Sequence, residues 1–419
     1  SKKGHYSKSA RSATSVIGTI SLVILLLITY LLLTGIGFLN SLYLRHDTVE
    51  YEIRVMQSSP LQSLAELDGG VIASSDLEKE KDLEQAIDNI RSDNNLTTLT
   101  MQTFSDYIEA TGALYTGQTD AMLYNKAYLE SLRLTYPEFE QETRVLGTTK
   151  VKIKVKQLLK SVNTSKDAFN MYISGIDSYG DLTMVSRSDV NIIMTVDPRT
   201  KTILLTNIPR DTYLPIYGTP GSDKLTHAGI YGIESSVGTI SQFLATDINY
   251  FTRVNFTSLI ELVDALGGIE VDNPEAFTSW DGHWFPQGRI SLNGEEALAF
   301  SRERKSLSEG DIGRGKNQLR VIEGMVNKAI SPEVIPYANE LMNRFNEVAQ
   351  TNMPTKDISN LINVQLSDNS SWKFETITLK GSGTMELQSY AMPGQALYMY
   401  QPDQGSVFEI QQKIKEIVD

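Results

Sequence analysis

The sequence predicts an α/β protein with an N-terminal transmembrane helix, a small α/β accessory domain and a mixed-sheet α/β/α sandwich. Three observations support this fold class: an uncharged apolar run near the N-terminus, short buried strand patterns joined by a tight turn, and helical periodicity after them. The predicted boundaries are residues 1–15 for a polar leading segment, 16–39 for the span, 45–160 for the accessory domain and 161–419 for the sandwich.

The apolar run from Val16 to Leu39 contains no ionisable group and is long enough to cross roughly 30 Å of hydrocarbon as a helix. A signal peptide or a buried core helix fits it poorly, because no cleavage site follows and no polar stripe interrupts it. Basic residues precede it at Lys2, Lys3, Lys8 and Arg11. Only Arg45 and His46 stand close behind it, so the positive-inside rule predicts a membrane protein with a cytoplasmic N-terminus. Everything from about Arg45 onward is then extracytoplasmic, while the start at Ser1 leaves the number of spans open.

Composition narrows the classes of function. The chain has 419 residues, of which 41% are hydrophobic and 21% are charged, so it can bury sizeable cores. A formal net charge of -13 argues against general nucleic-acid binding, which requires a basic face. With no cysteine and four histidines at no ligand-like spacing, zinc and haem sites are also disfavoured. Any metal is therefore expected to have oxygen ligands.

The first exported region, from about Asp47 to Gly147, is predicted to be an accessory α/β domain. It combines a strand pattern at Glu50–Met56 with helical patterns at Leu77–Arg91 and Asp120–Leu134. It contains no paired carboxylates and no phosphate-binding loop. A lysine-alternating strand or helix that starts at Val151 leads into the second region.

The second region is predicted to form the main sheet. Strand patterns occupy Ala168–Gly175, Val190–Val196 and Thr202–Ile208, and a DPRT turn at Asp197–Thr200 joins the last two as a hairpin. Because of this hairpin, the sheet should be mixed, with helices on both faces. The remaining elements are helices at Ile233–Ala245, Phe256–Leu266, Gly313–Ile330 and from Val407, and strands at Gly268–Val271 and Phe374–Leu379.

One basic segment stands out in this acidic chain. The run SRERKSLSEGDIGRGKNQ contains Arg302, Arg304, Asp311, Arg314 and Gln318. The first two arginines share a face if the backbone is extended, and the third arginine shares a helix face with the glutamine. Guanidinium donors match phosphate oxygens in pairs, so the run predicts a binding site for a diphosphate or phosphodiester. A solvated, salt-bridged surface face is the alternative.

More charged residues lie at strand ends, where open α/β sheets bind their ligands. They are Asp177, Arg187, Asp189 and Arg210. Together with the basic segment they supply five arginines and three aspartates. Carboxylates are suitable ligands for Mg²⁺ or Mn²⁺, and arginines neutralise phosphate oxygens, so the set suits a metal with a diphosphate. Each residue alone has an ordinary alternative as a turn former, a cap or a surface ion pair.

Six motifs, in order, resemble the LytR-CpsA-Psr family and span roughly residues 163–419. They are GIDSYG from Gly175, SRSDVNIIMTVDPRTK from Ser186, NIPRDTY from Asn207, DKLTHAGIYG from Asp223, LVDALGGIEVD from Leu262, and the basic segment from Ser301. The fourth departs modestly from the family's usual run, which leaves the roles of Lys224 and His227 open. The first exported region resembles the accessory domain of the capsule-associated CpsA branch.

The resemblance implies an extracytoplasmic phosphotransferase held by a membrane anchor. It would move a glycan phosphate, of capsular polysaccharide or a similar wall polymer, from a polyprenyl-diphosphate carrier onto peptidoglycan. If the family's functional residues are assigned to the matching positions of this sequence, the Mg²⁺ ligands would be Asp177 and Asp189. The diphosphate ligands would be Arg187, Arg302, Arg304, Arg314 and Gln318. Arg210 and Asp311 would orient these groups and stabilise the transition state, and Asp189 and Asp311 are candidate general bases.

Two alternatives stay open: a lipid-diphosphate hydrolase at the same site, and a non-catalytic regulator of polymer synthesis. The polyprenyl tail would need an apolar slot, for which helices Ile233–Ala245 and Phe256–Leu266 are possible walls, although plain core packing also explains their leucines. Trp280, His283 and Trp284 could stack on glycan or cap the core.

Overall fold

The computed structural model describes residues 46–77, 80–155, 160, 162–334, 337–368 and 370–419. The predicted span at 16–39 lies outside these residues. Within them, no helix is both long and apolar enough to cross a bilayer. Residues Asp47–Asp419 form one compact unit built around two sheets.

The first sheet has five strands in the order β3-β2-β4-β1-β5. The strands are β1 (His46–Met56), β2 (Val71–Ser75), β3 (Thr100–Phe104), β4 (Ala121–Asn125) and β5 (Thr143–Lys154). The helices of this region are α1 (Glu80–Asn94), α2 (Tyr107–Tyr115), α3 (Leu129–Thr135) and α4 (Phe139–Glu142). The predicted α/β character of the region is confirmed.

The helix predicted over Asp120–Leu134 is wrong for the first half of that range. Residues Ala121–Asn125 form β4, which pairs with both β1 and β2 and is buried along its whole length. A 3₁₀ turn at Lys126–Tyr128 then leads into α3. Burial on both faces produces a continuous apolar run, and such a short run does not distinguish a strand from a helix by periodicity.

The second region, residues 162–419, contains fourteen further strands and eight helices among the described residues. The strands are β6 (Phe169–Gly175), β7 (Val190–Asp197), β8 (Thr202–Asn207), β9 (Tyr213–Pro215), β10 (Ser222–Lys224), β11 (Tyr250–Val254), β12 (Ile269–Asn273), β13 (Phe277–Thr278), β14 (Trp284–Phe285), β15 (Gly288–Leu292), β16 (Gln350–Thr351), β17 (Lys373–Thr378), β18 (Gly381–Thr384) and β19 (Met399–Pro402). The helices are α5 (Leu225–Ala228), α6 (Ile233–Leu244), α7 (Phe256–Ala265), α8 (Gly294–Arg302), α9 (Gly310–Ala329), α10 (Ala338–Val348), α11 (Thr355–Asp368) and α12 (Gln404–Val418).

The central sheet has six strands in the order β16-β11-β6-β7-β8-β17. Its β6-β7 and β7-β8 pairs are antiparallel, whereas β11-β6 and β8-β17 are parallel, which confirms the predicted mixed sheet. The predicted hairpin is also present. Its turn is closed by Asp197, whose carboxylate accepts from the Arg199 N–H at 2.9 Å and from the Thr200 hydroxyl at 2.9 Å.

Helices cover both faces of this sheet, as predicted. The strands alternate, so neighbouring residues enter different cores: Tyr172 packs in the core that contains α6 and α12, whereas Met171 packs in the core that contains α9 and α11. Both faces are apolar. The strand ends between these two layers bring the charged residues of the sequence motifs together.

The two sheets are joined by a buried ion pair. Arg253 of β11 is 2% exposed, and its Nη1 lies 2.8 Å from Oδ1 of Asp47 at the start of β1. The same carboxylate accepts from the backbone N–H of Ile233, the first residue of α6, at 2.9 Å. Asp47 of β1 therefore fixes the first sheet to the second.

Candidate active site

Asp189 and Arg210 form the centre of the predicted site. Asp189 directly precedes β7, where its N–H donates to the carbonyl of Gly175 at 2.8 Å. Its Oδ1 accepts from Arg210 Nη1 at 2.8 Å and from the Thr226 hydroxyl at 3.3 Å. Burial alone would raise the pKa of Asp189, but Arg210 and nearby Arg187 outweigh burial and hold that pKa below its ordinary value. Asp189 is therefore a stable anion that orients Arg210.

Arg210 keeps donor capacity free for a ligand. Burial opposes its charge, yet Asp189 and Asp211 outweigh burial and raise the pKa of the guanidinium. Its Nε is buried and, among the described residues, has no hydrogen-bond acceptor, since the nearest Asp211 oxygen is 3.9 Å away. Lys224 Nζ holds that carboxylate at 2.9 Å. An unsatisfied buried donor of this kind is expected where a charged ligand binds.

Lys224 and His227 thus have structural roles in this loop. The first holds Asp211, as described above. The buried His227 has Nδ1 2.8 Å from Oδ1 of Asp223, whose Oδ2 accepts from the Ser389 hydroxyl at 2.8 Å. The loop also reaches the site directly, because the Thr226 N–H donates to the carbonyl of Arg210 at 2.9 Å.

The predicted extended geometry of Arg302 and Arg304 is only partly right. Arg302 is the last residue of α8, and the following Glu303 has extended dihedral angles. Even so, both arginines line the same cavity. Arg302 Nη2 lies 3.5 Å from Oδ1 of Asp177, so the structure brings these two predicted site residues together.

Aromatic rings orient Arg302. Its guanidinium carbon lies 4.2 Å from the centroid of the Phe256 ring and 5.3 Å from that of Trp280. Cation–π contacts of this kind favour a fixed, partly desolvated guanidinium. Phe256 reaches this position because α7 begins there, where Asn255 and Ser258 form a reciprocal capping box.

Glu303 holds the loop between the two arginines in place. Its carboxylate accepts from the backbone N–H groups of Trp280 at 2.7 Å, Arg304 at 2.9 Å and Ser306 at 3.0 Å. Burial would raise the pKa of Glu303, but these hydrogen bonds outweigh it and lower that pKa. Glu303 therefore fixes Trp280 beside Arg302.

The start of α9 supplies the last predicted residues. Arg314 Nη2 lies 2.8 Å from Oδ1 of Asp311, and Gln318 lies one turn further along the same face, as predicted. Burial lowers the pKa of Arg314, against an opposing effect of Asp311. Gly315 allows the helix to approach the end of β8, since a Cβ there would lie 2.3 Å from the Asn207 amide. This close approach places Arg314 near Arg210.

A cavity of about 590 Å³ opens beneath these charged groups. Its mouth contains Asp177, Asp189, Arg210, Arg302, Arg304, Arg314 and Gln318. Its interior is lined by apolar side chains from the sheet face and from α7, α9, α10 and α11, among them Ile173, Met194, Leu259, Met325, Phe345 and Leu361. Charge at one end and hydrocarbon at the other suit an amphipathic ligand.

One of the two predicted walls of the apolar slot is wrong. Helix α7 lines the cavity through Leu259 and Leu262, but α6 packs on the opposite face of the sheet, where Ile240 and Leu244 are buried in closed core. Both helices are amphipathic, and amphipathicity does not indicate which face of a sheet a helix covers. Of the predicted aromatic loop, Trp280 and Trp284 are 67% and 63% exposed.

Two carboxylates at the cavity mouth are candidate ligands for the predicted metal. Among the described residues, no three or more histidine, aspartate or glutamate side chains converge as a metal site. Asp177 and Asp189 both line the cavity mouth. Mg²⁺ is commonly held by one or two carboxylates while phosphate and water complete its octahedron, so two carboxylates beside a phosphate site fit it.

Some residues of the site were missed in the sequence. Phe256, Thr226 and Glu303 contact the predicted charged residues but were not predicted as site residues. Thr226 and Glu303 lie within the quoted motifs, and Glu303 left the clearer signal, because an acidic residue between two arginines is a natural hydrogen-bond acceptor for its own loop.

The chain is similar to known proteins in sequence and in fold. The chain matches the LytR_cpsA_psr family over residues 135–416. It belongs to the LytR-CpsA-Psr family. A Bacillus subtilis (strain 168) protein named polyisoprenyl-teichoic acid–peptidoglycan teichoic acid transferase TagU is 36% identical over 262 residues, which cover 62% of this chain and 80% of that protein. A relative of the same name from Enterococcus faecalis is 37% identical over 225 residues, which cover 53% and 73%.

Solved structures of the LytR-CpsA-Psr family share the fold. Bacillus subtilis TagV aligns with a TM-score of 0.53 at 29% identity, covering 61% of this chain and 98% of that one. A structure described as TagT bound to LIIa-WTA aligns with a TM-score of 0.50 at 26% identity, covering 62% and 94%. The predicted family and the prediction of an enzyme of the transferase class are both confirmed.

Proposed function

We propose that this enzyme transfers a glycan phosphate from a polyprenyl-diphosphate carrier to a peptidoglycan hydroxyl on the outer side of the membrane. The observation that supports it is the cavity, which combines a mouth of arginines and aspartates with an apolar interior. A lipid diphosphate has the same division between a charged head and a hydrocarbon tail. Relatives are named polyisoprenyl-teichoic acid–peptidoglycan teichoic acid transferases, and that name joins a polyisoprenyl-linked polymer with peptidoglycan.

The arginines would bind the diphosphate and offset its charge. Arg302, Arg304 and Arg314 line the mouth, and Arg187 lies close enough to Asp189 to lower its pKa. Guanidinium donors match phosphate oxygens in pairs and remain charged when partly buried. Arg210 would donate through its unsatisfied Nε to an oxygen whose charge grows during transfer.

In the proposed reaction the oxygen of the acceptor hydroxyl attacks the phosphorus that carries the glycan. A new oxygen–phosphorus bond forms, the bridging bond of the diphosphate breaks, and polyprenyl phosphate leaves. The hydroxyl proton must go to a base. Asp189 suits this role poorly, because its lowered pKa makes it a weak base, so Asp311 is the better candidate.

Mg²⁺ is proposed as the metal, held by Asp177 and Asp189, and Mn²⁺ would have the same oxygen ligands. When bound, such an ion would neutralise phosphate charge. Removal of divalent cations with a chelator should then abolish transfer, and added Mg²⁺ should restore it. Full activity in chelator would count against the metal proposal and leave the transferase proposal standing.

Membrane anchoring would complete the function. The apolar run at Val16–Leu39 would hold the site close to a lipid substrate and raise its effective concentration. The polymer could be a capsular polysaccharide or a teichoic acid, because the charged mouth recognises the diphosphate that both share.

The test follows a phosphorus label. The full chain, in vesicles, is incubated with a polyprenyl-diphosphate glycan labelled at the phosphorus that carries the glycan, with Mg²⁺ and peptidoglycan. We expect the label on peptidoglycan. Label only in free glycan phosphate would indicate a hydrolase, and no release of label would favour a non-catalytic regulator.

A further inference from the structure

A second, larger groove lies on the opposite side of α9 from the lipid cavity. It has a volume of about 1410 Å³ and runs between α9, the antiparallel pair of β12 and β15, and β17. Residues Arg314, Gln318 and Met325 of α9 face the lipid cavity, whereas Ile312, Glu323 and Asn327 face the groove. With 3.6 residues per turn, these two sets lie on opposite faces of the helix. No residue of the candidate active site lines the groove, so the proposed function leaves it unassigned.

The groove reaches the reacting end of the lipid cavity. Its lining includes Ile312, the neighbour of Asp311, and Tyr400, whose N–H donates to the carbonyl of Asp211 at 2.8 Å. From Ile312 to Asn327 it follows α9 for about 22 Å at 1.5 Å per residue. A long polar ligand in the groove would therefore present one part of itself at the active site.

The charges in the groove are largely balanced. Ion pairs in its lining are Glu309 with Lys316, Glu270 with Arg289, and Lys328 with Glu333. Of the other charged residues in the lining, Arg320 and Lys380 are basic, and Asp272, Glu323 and Glu409 are acidic. A polyanionic polymer requires unpaired cations, as at the arginine-rich mouth, and this groove offers few. A ligand rich in hydroxyl and amide groups, with few net charges, suits it better.

We infer that this groove binds the acceptor, a peptidoglycan glycan strand with its short peptides. The inference rests on the proposed function, because it assigns the second substrate of the same reaction. Donor and acceptor then occupy opposite faces of one helix, and they meet at its N-terminal end, where Asp311 and Arg314 lie. The helix separates the hydrocarbon tail from the polar strand while bringing the reacting groups together.

The test measures binding without turnover. Soluble, uncrosslinked peptidoglycan strands are titrated against the full chain in detergent micelles, without lipid donor. Asn327→Trp adds bulk to an exposed groove position about 22 Å from the active-site end of the groove. Asn343→Trp makes the same change at an exposed position of α10 that lines neither cavity. We expect Asn327→Trp to weaken strand binding at least tenfold and Asn343→Trp to leave it unchanged, with lipid-diphosphate binding intact in both.

The inference is overturned if Asn327→Trp binds the strand as tightly as the wild type does. It is also overturned if Asn327→Trp weakens the binding of lipid diphosphate and not that of the strand. Competition by a soluble polyanionic wall polymer at the groove would also overturn it. Lys316→Ala removes a groove side chain without adding bulk and should weaken strand binding several-fold, which keeps the test valid if Asn327→Trp misfolds. Failure of the labelled-phosphate transfer by the wild type would refute the proposed function alone, since strand binding is measured separately.

Discussion

Both faces of the six-stranded sheet are apolar, but only one of them is closed. On the closed face, α6 and α12 pack against the strands until Leu204, Ile240 and Ile410 are each 0% exposed. On the open face, α7, α9, α10 and α11 leave a cavity of about 590 Å³, and side chains such as Met194 and Met325 stay only partly buried.

Because only one face is closed, one face of this sheet contributes mainly to stability and the other mainly to binding. Side chains on the closed face have neighbours on all sides, so their contacts stabilise the fold directly. Side chains on the open face lack neighbours across the cavity, and a bound hydrocarbon tail would supply them. Substitutions on the closed face should therefore lower the free energy of unfolding, and substitutions on the open face should lower substrate affinity.

The largest effect is expected at the mouth of the open face. Arg210→Ala should reduce glycan transfer by about 10³-fold, because it removes the donor that we propose stabilises the developing phosphate charge. The rate is measured with the phosphorus label. Arg199→Ala, at the exposed hairpin turn of the same sheet, is the matched control and should retain the wild-type rate. Equal rates for the two variants would refute the assignment of Arg210.

The next effect concerns stability on the closed face. Asp47→Ala removes the partner of the buried Arg253 and the acceptor of the Ile233 N–H, and should lower the free energy of unfolding by about 3–5 kcal/mol. Asp247→Ala breaks the exposed pair with Lys160 and should cost about 0–1 kcal/mol. Urea unfolding of both variants measures the difference. If Asp47→Ala lowers the free energy of unfolding no more than Asp247→Ala does, the ion pair between the two sheets adds little stability.

A pair of substitutions tests the two faces against each other. Ile240→Ala on the closed face should lower the free energy of unfolding by about 2–5 kcal/mol and leave the KM for lipid diphosphate unchanged. Met325→Trp fills the open cavity and should raise that KM about tenfold, with little loss of stability. Thermal unfolding and donor titration are run on both. If Met325→Trp destabilises the fold as much as Ile240→Ala, the open face is ordinary core.

Much of this comparison could be predicted from the sequence. Strands β6, β7 and β8 with their hairpin follow from apolar runs bounded by turn residues, and the charged residues at their ends follow from strand direction. The grouping of Arg314 with Gln318 follows from helical spacing. These features are determined by residues that are close to one another in the sequence.

The sequence could not show which face is open. Helices α6 and α7 have similar apolar stripes, and only the long-range packing of the chain places one on each face. Phe256 and Thr226 contact the charged residues for the same reason, because they come from elements distant in the chain. The helix predicted at Asp120–Leu134 failed because β4 is buried on both faces.

A pH experiment sharpens the account of the mouth. The folded pKa of Asp189 lies below its ordinary value of 3.8, so the charged form stabilises the fold above that value. This contribution is lost as the pH falls through the lower folded pKa. The difference in free energy of unfolding between wild type and Asp189→Asn should be constant above about pH 5 and shrink below 3.8. A difference that grows on acidification would mean that burial, and not Arg210, dominates the pKa of Asp189.

The smallest expected effect is at the rim of the open face, where Trp280 contacts Arg302. Trp280→Ala removes one of two aromatic contacts of the guanidinium, and a partly exposed contact of this kind contributes about 0.5–1 kcal/mol. The KM for lipid diphosphate should therefore rise about two- to fivefold. Trp284→Ala, equally exposed but without a contact to Arg302 among the described residues, is the control and should leave the KM unchanged. If both substitutions raise the KM equally, the exposed rings bind glycan or lipid as one surface, and Trp280 does not act through Arg302.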